Sequence, residues 1–388
     1  MQTAVMFGAG SVGRGLMGQL LTASGYLVHF VDIDQALVRA LNVRGSYTLT
    51  LADRSGLVEQ TIEPVRATLS GDVPAVTAAL ETAALAATAV GARALVAIAP
   101  LLAAGLARRM ECGVDSPLNV LMCENIPDAA ALMWEQLEAH LNPAQLAFAR
   151  AHLGLANMVI GRMVPEPTAE MRARDVTAIL TEPYADTYAD RGGFVGEVPE
   201  IDHLIAHAPL RPWIDRKLFI HNCVHCMMGY LGYWRGLGYG YQVLEDPLVR
   251  PWLAAALGES VAGLSAIHAL DVGELLIHVA ELWQRLGNRA LGDPVRRLAR
   301  DPLRKLAPAD RLVGAARAAE AAGLQPDGLA WGIAAALRYD QEQDPAAVEL
   351  QSRIAQQGVG EVLRTLCHIE ACEPLGVRVL DRYQQLQG

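Results

Sequence analysis

The segment KLFIHNCVHC (217–226) groups a lysine, an asparagine, two histidines and two cysteines within ten residues. Two kinds of chemistry fit such a group. Cysteines in a C-x-x-C spacing beside histidines are typical of a metal site. A lysine with an asparagine and a histidine is typical of proton transfer to and from an alcohol or carbonyl. Both hypotheses start from the same short stretch.

Helical spacing favours the second hypothesis for the polar residues. If 215–230 is an α-helix with about 100° per residue, His221, His225 and Asn222 lie about 40°, 80° and 140° from Lys217. These four side chains would share one broad face. We therefore predict that Lys217 is the general acid/base and that Asn222 and His225 donate hydrogen bonds to the developing oxyanion.

The same spacing separates the cysteines from that face. Cys226 and Cys223 fall near 180° and 240° on the same wheel. One helix cannot wrap both cysteines and both histidines around a tetrahedral zinc ion. We expect the cysteines to be small buried residues and expect no metal. A zinc pair from His221 and His225, completed by ligands elsewhere, stays open as an alternative.

Lysine is rare in this chain. Of 32 basic residues, 30 are arginines, and the two lysines are Lys217 and Lys305. Arginine cannot lose its proton in a protein, whereas the pKa of a buried lysine can fall enough to accept the proton of an alcohol. The rarity of lysine supports the prediction for Lys217, while Lys305 has equal odds of being a chance survivor.

The N-terminal residues have the pattern of a dinucleotide-binding βαβ unit. A predicted strand at 3–7 leads into GAGSVGRG (8–15), a helical pattern at 16–24 and a second strand at 26–34. An acid, Asp32, ends that strand 19 residues after Gly13. Asp32 would accept hydrogen bonds from the adenosine ribose and repel a 2′-phosphate, so NAD is favoured over NADP. The predicted dinucleotide contacts in this unit are Gly8, Ala9, Gly10, Ser11, Val12, Gly13 and Asp32.

Apolar runs and helical patterns alternate up to about residue 200, and helical periodicity dominates afterwards. We predict a Rossmann α/β domain over 1–195, a doubly wound parallel sheet open to extension by extra strands, followed by a mostly α-helical substrate domain over 196–388. The run ALVAIAPLLAAGLA (94–107) is predicted to be a buried strand leading into a helix. It is too short to span a bilayer.

Composition narrows the class of protein. Hydrophobic residues make up 52% of the chain and the net charge is −10, which predicts a folded protein without a nucleic-acid or membrane partner. Six cysteines in 388 residues do not form a disulfide framework. The N-terminus has no pattern of an export signal. We expect a cytoplasmic protein.

The pattern Lys217-x4-Asn222-x2-His225 resembles the signature of the polyol-specific long-chain dehydrogenases. The resemblance spans essentially the whole chain. The further stretches that carry it are FGAGSVGRG, TAVGARALVAIAP (88–100), SPLNVLMCEN (116–125), RKLFIHN (216–222), DPLRKLAPADRL (301–312) and GIAAALRYD (332–340). It implies metal-independent, NAD-dependent interconversion of D-mannitol 1-phosphate and D-fructose 6-phosphate, with the lysine as acid/base and the asparagine and histidine assisting. It also implies a monomer or a weak homo-oligomer.

The resemblance also implies roles for residues outside the lysine segment. Asn125 matches a position that contacts substrate, and Arg304 and Lys305 match the C-terminal cleft residues. Both cations are candidates for binding the phosphate, for which an arginine fork is well suited. An equal alternative is that Arg304 and Lys305 cap a helix or pair with Asp301 and Asp310. Residues expected near the nicotinamide end are Thr88, Ala89, Val90 and Gly91.

Two departures from the family pattern concern the lysine segment. Val224 stands where the family has glycine, and His221 replaces an uncharged residue, and these departures concern substrate preference more than reaction class. The alternatives are a dehydrogenase of a free polyol or sugar acid, of the mannitol 2-dehydrogenase or fructuronate reductase type, and a non-catalytic NADH sensor. A Cys/His metalloprotein is a further alternative.

Overall fold

The computed structural model describes residues 1–126 and 128–387. The chain forms two compact units, Met1–Leu210 and Arg211–Gly388. None of the helices in the described residues is both long and apolar enough to cross a lipid bilayer.

The first unit is built on an eight-stranded sheet with a smaller three-stranded sheet. The strands are β1 (Thr3–Phe7), β2 (Leu27–Asp32), β3 (Tyr47–Asp53), β4 (Gly56–Ile62), β5 (Val65–Leu69), β6 (Leu85–Thr88), β7 (Leu118–Met122), β8 (Leu153–Ile160), β9 (Ile179–Thr181), β10 (Thr187–Asp190) and β11 (Leu204–His207). The large sheet has the order β11-β10-β8-β7-β6-β1-β2-β5, and the small one β4-β3-β9. All pairs in the large sheet are parallel except β8 with β10.

Helices cover both faces of the large sheet. They are α1 (Gly18–Ala23), α2 (Gln35–Arg44), α3 (Val73–Thr82), α4 (Ala92–Glu111), α5 (Ala129–His140), α6 (Pro143–His152) and α7 (Ala169–Arg174). Alternate residues of one strand enter opposite cores: Met6 and Phe30 pack in one, Phe7 and Val31 in the other. Strands buried on both faces read as continuous apolar runs, as β1 and β7 do. The predicted Rossmann fold class is confirmed.

One prediction in this unit is wrong. The run 94–107 is not a strand followed by a helix but lies wholly inside α4, which continues through Pro100. Short apolar runs do not distinguish a buried strand from a buried helix, because both lack a polar face. The six consecutive small or aliphatic residues before the proline, 94–99, therefore fit either element, and only their packing shows that they are helical.

The second unit is built from helices. They are α8 (Arg211–Arg216), α9 (Cys223–Trp234), α10 (Gly240–Glu245), α11 (Arg250–His268), α12 (Val272–Leu286), α13 (Val295–Ala299), α14 (Pro302–Lys305), α15 (Val313–Ala321), α16 (Asp327–Leu337), α17 (Pro345–Gln357), α18 (Val359–Cys367) and α19 (Pro374–Gln385). The expected helical C-terminal domain is thus present.

The lysine segment is not a regular α-helix. A π-helical turn, Lys217–Asn222, separates α8 from α9. Hydrogen bonding from i to i+5 widens such a turn, so the 100° spacing assumed for 215–230 does not hold between Lys217 and Asn222. Residues five apart lie nearly over one another in π geometry. The turn therefore brings Asn222 closer to the face of Lys217 than the α-helical wheel predicts.

Candidate active site

The glycine turn after β1 uses its three glycines for different reasons. Gly8 has φ of +93°, and a Cβ there would lie 2.6 Å from the carbonyl oxygen of Ala89. A Cβ on Gly13 would lie 2.0 Å from the carbonyl oxygen of Gly8. A Cβ on Gly10 would meet nothing within 4 Å. The fold itself requires the first and third glycines, whereas the second leaves open space above the turn where an anion can approach the backbone.

Asp32 ends β2 beside this turn, as predicted. Its Oδ2 accepts a hydrogen bond of 2.6 Å from the amide of Ala9, and its Oδ1 accepts one of 2.9 Å from the amide of Asp34. A carboxylate has about four acceptor positions, so both oxygens keep capacity for ligand hydroxyls. Ser11 and Val12, both half-buried, begin the helix that follows.

Glu124 fixes the predicted nicotinamide loop. One of its carboxylate oxygens accepts a 2.6 Å hydrogen bond from the hydroxyl of Thr88, and the other accepts one of 3.2 Å from the amide of Val90. Burial raises the pKa of Glu124, and these two hydrogen bonds partly oppose the rise. The sequence analysis missed this residue, although it stands between the matched residues Cys123 and Asn125.

The predicted residues of the first unit converge on one edge of its sheet. Gly8, Asp32, Thr88 and Glu124 follow or end β1, β2, β6 and β7, and the amide of Ala89 donates to the carbonyl of Phe7 at 2.8 Å. Gly91 continues the loop with φ of +85°, and Asn125 is exposed directly after Glu124. Parallel sheets bind ligands at the carboxyl ends of their strands, where neighbouring connections leave in opposite directions. This edge of the sheet is therefore the candidate dinucleotide site.

Lys217 opens the π-helical turn of the second unit. Its side chain is half-buried. Desolvation by burial, with a smaller contribution from the nearby positive charge of Arg311, lowers its pKa to about 8. At neutral pH an amine with this pKa is mostly protonated but holds an appreciable free-base fraction. That balance suits a group that must both accept and return a proton.

His225 is held by a carboxylate that the sequence analysis missed. Its Nε2 lies 3.2 Å from Oδ2 of Asp293, and the guanidinium of Arg297 donates to both oxygens of the same carboxylate. Burial alone would raise the pKa of Asp293, but hydrogen bonds from His225 and Arg297 outweigh it and lower the pKa to about 2. The carboxylate is therefore charged, and it orients the imidazole. No local spacing links residues 68 positions apart.

Asn222 and His225 line a cavity of about 230 Å³ within the second unit. The cavity is strongly cationic. Its other lining residues are Cys226, Arg297, Leu298, Arg300, Asp301, Arg304, Lys305 and Arg311. A space of this size suits a small molecule rather than a drug-sized ligand. The arrangement places two hydrogen-bonding side chains and several positive charges around one small ligand.

Both predicted phosphate residues reach this cavity, and both have partners in the protein. Nε of Arg304 donates to Asp301 at 2.8 Å, and its terminal nitrogen lies 3.6 Å from Asp310. Nζ of Lys305 donates to the carbonyl of Leu298 at 2.6 Å, and burial lowers the pKa of this lysine to about 8. The alternative raised for Arg304, pairing with both acids, is what the structure has. Lys305 bonds to backbone instead.

The cysteines of the lysine segment are buried. The thiol of Cys226 donates to the carbonyl of Cys223 at 3.1 Å, and burial raises the pKa of Cys226 to about 11. His221 is buried as well, and its ring centre lies 5.7 Å from that of His225. Within the described part of the chain, no three or more Cys, His, Asp or Glu residues are grouped so that they could hold a metal ion.

Comparison with known proteins assigns the chain to a protein family. Residues 2–203 match the mannitol dehydrogenase Rossmann domain, and residues 209–374 match the mannitol dehydrogenase C-terminal domain. The chain is 39% identical to the mannitol-1-phosphate 5-dehydrogenase of Bacillus licheniformis, covering 95% of this chain and 96% of that one. It is 36% identical to the enzyme of the same name from Bacillus subtilis, covering 98% and 100%.

Solved structures share the fold at lower identity. Mannitol 2-dehydrogenase of Pseudomonas fluorescens, in a ternary complex with NAD and D-mannitol, matches with a TM-score of 0.71 and 17% identity over 99% of this chain and 91% of that one. A substrate-free D-sorbitol dehydrogenase matches with a TM-score of 0.78 and 16% identity over 99% and 93%. The resemblance noted in the sequence is therefore confirmed, and the chain belongs to the mannitol dehydrogenase family.

Proposed function

We propose that this protein is an NAD-dependent dehydrogenase that interconverts D-mannitol 1-phosphate and D-fructose 6-phosphate. Relatives that are 36–39% identical over nearly their whole length have the name of that activity. The observation that carries the choice of a phosphorylated substrate is the cavity of the second unit, where Asn222 and His225 share one small space with five cationic side chains. A free polyol has no need of so many positive charges.

In alcohol oxidation, bound NAD⁺ supplies the acceptor for the hydride that leaves the substrate's secondary carbon. The neutral amine of Lys217 takes the hydroxyl proton and becomes an ammonium ion, and the carbon–oxygen bond becomes a carbonyl. In the reverse direction the ammonium returns that proton to the oxygen. The pKa of about 8 lets Lys217 serve in both directions near neutral pH.

Asn222 and His225 have the supporting role in this proposal. Asn222 can donate a hydrogen bond from its side-chain amide to the substrate oxygen as negative charge develops on it. Nε2 of His225 donates to the Asp293 carboxylate, which can only accept, so His225 would donate to the substrate oxygen through Nδ1 in its doubly protonated form. Asp293 holds the ring of His225, and Arg297 holds Asp293 by two hydrogen bonds. The oxygen would therefore meet donors that are already oriented, which lowers the reorganisation needed in the transition state.

The dinucleotide contacts are proposed for the first unit. Backbone amides of 8–13 would face the pyrophosphate, and Asp32 would accept hydrogen bonds from the adenosine ribose. Thr88, Ala89, Val90 and Gly91, with their conformation fixed by Glu124, would lie toward the nicotinamide. Asn125, which follows Glu124, is proposed to contact substrate. The open space above Gly10 supports this placement.

The setting of the enzyme is also a proposal. Six free cysteines support a reducing compartment, and we place the enzyme in the cytoplasm. Its partners would be small-molecule polyols and sugar phosphates, with no nucleic acid. We propose a monomer or a weak homo-oligomer.

A substrate panel tests the function. The consumption of NADH by the purified protein is measured as the loss of absorbance of the reduced nicotinamide. The substrates are fructose 6-phosphate, fructose, fructuronate and tagaturonate. We expect fructose 6-phosphate to have the highest kcat/KM by well over tenfold, and each tenfold is about 1.4 kcal/mol of transition-state binding. A preference for fructose or a sugar acid would show that the proposed phosphorylated substrate is wrong. Binding of NADH without turnover of any of the four would favour the sensor.

A further inference from the structure

The cavity of the second unit has a charge imbalance that the protein does not neutralise. Its five cationic side chains are Arg297, Arg300, Arg304, Lys305 and Arg311. The carboxylates that pair with them are Asp293, Asp301 and Asp310. Two positive charges are in excess. A sugar phosphate carries roughly −1.5 to −2 charges at neutral pH, which matches that excess.

Four of the five cations already have protein acceptors. Arg297 is bound at both oxygens of Asp293, and Arg304 pairs with Asp301 and Asp310. Nε of Arg311 donates to Asp310 at 2.7 Å, and Nζ of Lys305 donates to the carbonyl of Leu298. These interactions hold the four side chains in place and use part of their donor capacity.

Arg300 differs from the other four. It is exposed on the cavity side of the turn between α13 and α14. Within residues 1–126 and 128–387, its guanidinium makes no hydrogen bond or ion pair with the protein. All five of its N–H donors therefore remain available in the planar fork that matches phosphate oxygens.

The turn that carries Arg300 is held in an unusual conformation. The next residue, Asp301, has φ of +65°, which is uncommon for a residue with a side chain. Its amide donates to Oδ2 of Asp344 at 2.8 Å, and its own carboxylate pairs with Arg304. Strained backbone persists where surrounding contacts enforce it, and it concentrates at ligand sites. The turn thus fixes the backbone from which Arg300 reaches the cavity.

We infer that Arg300 is the principal phosphate-binding residue of the substrate site and the main determinant of preference for a phosphorylated substrate. Arg304 and Lys305 then contribute the surrounding positive charge, with fewer free donors. This inference rests on the proposed function, because it takes the substrate to be a sugar phosphate. It moves the phosphate contact from the predicted pair to a neighbour that the sequence analysis did not single out.

The test compares Arg300→Gln with the wild-type enzyme on a phosphorylated and a free ketose. With NADH and fructose 6-phosphate, kcat/KM should fall roughly 30- to 100-fold, since charge-assisted hydrogen bonds to a phosphate are lost. The loss should lie in KM, because the phosphate is remote from the reacting carbon and binds equally in ground and transition states. With fructose, kcat/KM should change less than about threefold. The inhibition constant of inorganic phosphate against fructose 6-phosphate should rise with the KM.

Arg296→Gln is the matched control. Arg296 lies on α13, four residues before Arg300, is exposed, and is not among the residues that line the cavity. The substitution removes an equal charge from the same region. It should leave kcat/KM for both substrates and the inhibition constant of phosphate unchanged. Arg300→Lys, which keeps the charge but loses the fork, should recover part of the affinity.

The possible failures are distinguishable. If the wild-type enzyme does not reduce fructose 6-phosphate, the proposed function is wrong. If the wild type reduces it and Arg300→Gln keeps the wild-type KM and phosphate inhibition, the function stands and the inference about Arg300 is wrong. Equal losses with fructose and fructose 6-phosphate would also overturn it, since they would indicate general damage to the site.

Discussion

At the scale of single residues, Lys217 is the group whose properties matter most. Arginine stands at nearly every other basic position of the chain, and both lysines have pKa values lowered to about 8 by burial. The charge of Arg311 contributes to the lowering at both positions. Thus the two lysines that persist are both desolvated near the same arginine. This shared environment, burial near Arg311, argues against the hypothesis that Lys305 is a chance survivor.

Replacing Lys217 with alanine tests its role directly. We expect Lys217→Ala to lower kcat with fructose 6-phosphate by about 10²- to 10⁴-fold, the usual contribution of a general acid. The Kd of NADH, measured by fluorescence titration, should stay within a few-fold of the wild-type value, because the proposed dinucleotide contacts lie in the first unit. Turnover near the wild-type rate would remove Lys217 from the mechanism.

The pH dependence of the two directions should be opposite in sign. Oxidation needs the neutral amine, so kcat/KM for mannitol 1-phosphate should rise through pH of about 8 and then level off. Reduction needs the ammonium, so kcat/KM for fructose 6-phosphate should fall as pH rises through the same value. Both profiles are measured above about pH 7, where the substrate phosphate is already a dianion. Profiles that are flat across pH 8 in both directions would contradict the assignment.

Asp293 is expected to act through His225. Asp293→Asn keeps the size of the side chain but removes the charge that orients the imidazole, so kcat should fall roughly 10- to 100-fold with little change in the KM of NADH. A double-mutant cycle with His225→Ala separates positioning from structure. If Asp293→Asn lowers kcat as much in the His225→Ala background as in the wild type, its effect does not pass through His225.

At the scale of elements, the close approach of α9 and α13 builds the cavity wall. A Cβ on Gly229 of α9 would lie 2.5 Å from the amide nitrogen of Ala299 in α13. Backbone cannot move aside as a flexible side chain can. Since α9 carries His225 and α13 carries Arg297, the absence of a side chain at Gly229 sets the distance between two walls of the site.

Gly229→Ala should therefore reduce both stability and activity. We expect the free energy of unfolding, measured by urea denaturation, to fall by about 1–3 kcal/mol from overpacking, with kcat/KM reduced as well. Gly258→Ala is the control in the middle of α11, where a Cβ would meet nothing within 4 Å. That change should be neutral or stabilise by up to about 1 kcal/mol. Equal effects of the two substitutions would show that the α9–α13 approach tolerates a methyl group.

At the scale of the whole molecule, the proposed chemistry is divided between two units of different construction. In the proposal, the α/β unit would bind the dinucleotide at the edge of its sheet, and the helical unit would supply the proton acceptor and the cations. No group of three or more metal-ligating side chains is present in either unit, as far as residues 1–126 and 128–387 show. The proposed proton transfer relies on an amine and hydrogen-bond donors.

Activity should therefore persist after exhaustive treatment with EDTA. We expect kcat/KM for fructose 6-phosphate to remain within experimental error of the untreated enzyme, with elemental analysis of the same sample as the companion measurement. If EDTA abolishes activity and zinc restores it, the alternative of a zinc site at His221 and His225 would be supported.

The sequence by itself determined those features that depend on neighbours along the chain. The glycine turn, the helix after it and Asp32 at the end of β2 follow from local spacing. So does the change near residue 200 from alternating strands and helices to helices alone. Lys217, Asn222 and His225 stood out because their residue types and spacing fit one reaction. The domain boundary predicted at 195/196 stays a prediction.

Tertiary structure decided what distant residues bring together. The contact of His225 with Asp293 and the position of Arg300 at the cavity depend on packing between helices far apart in sequence. Local periodicity cannot encode them, because side chains 68 or more positions apart meet only after the helices have packed. The physical reason is that spacing along the chain determines on which face of a helix or strand a residue lies. Tertiary packing determines which residues that face contacts.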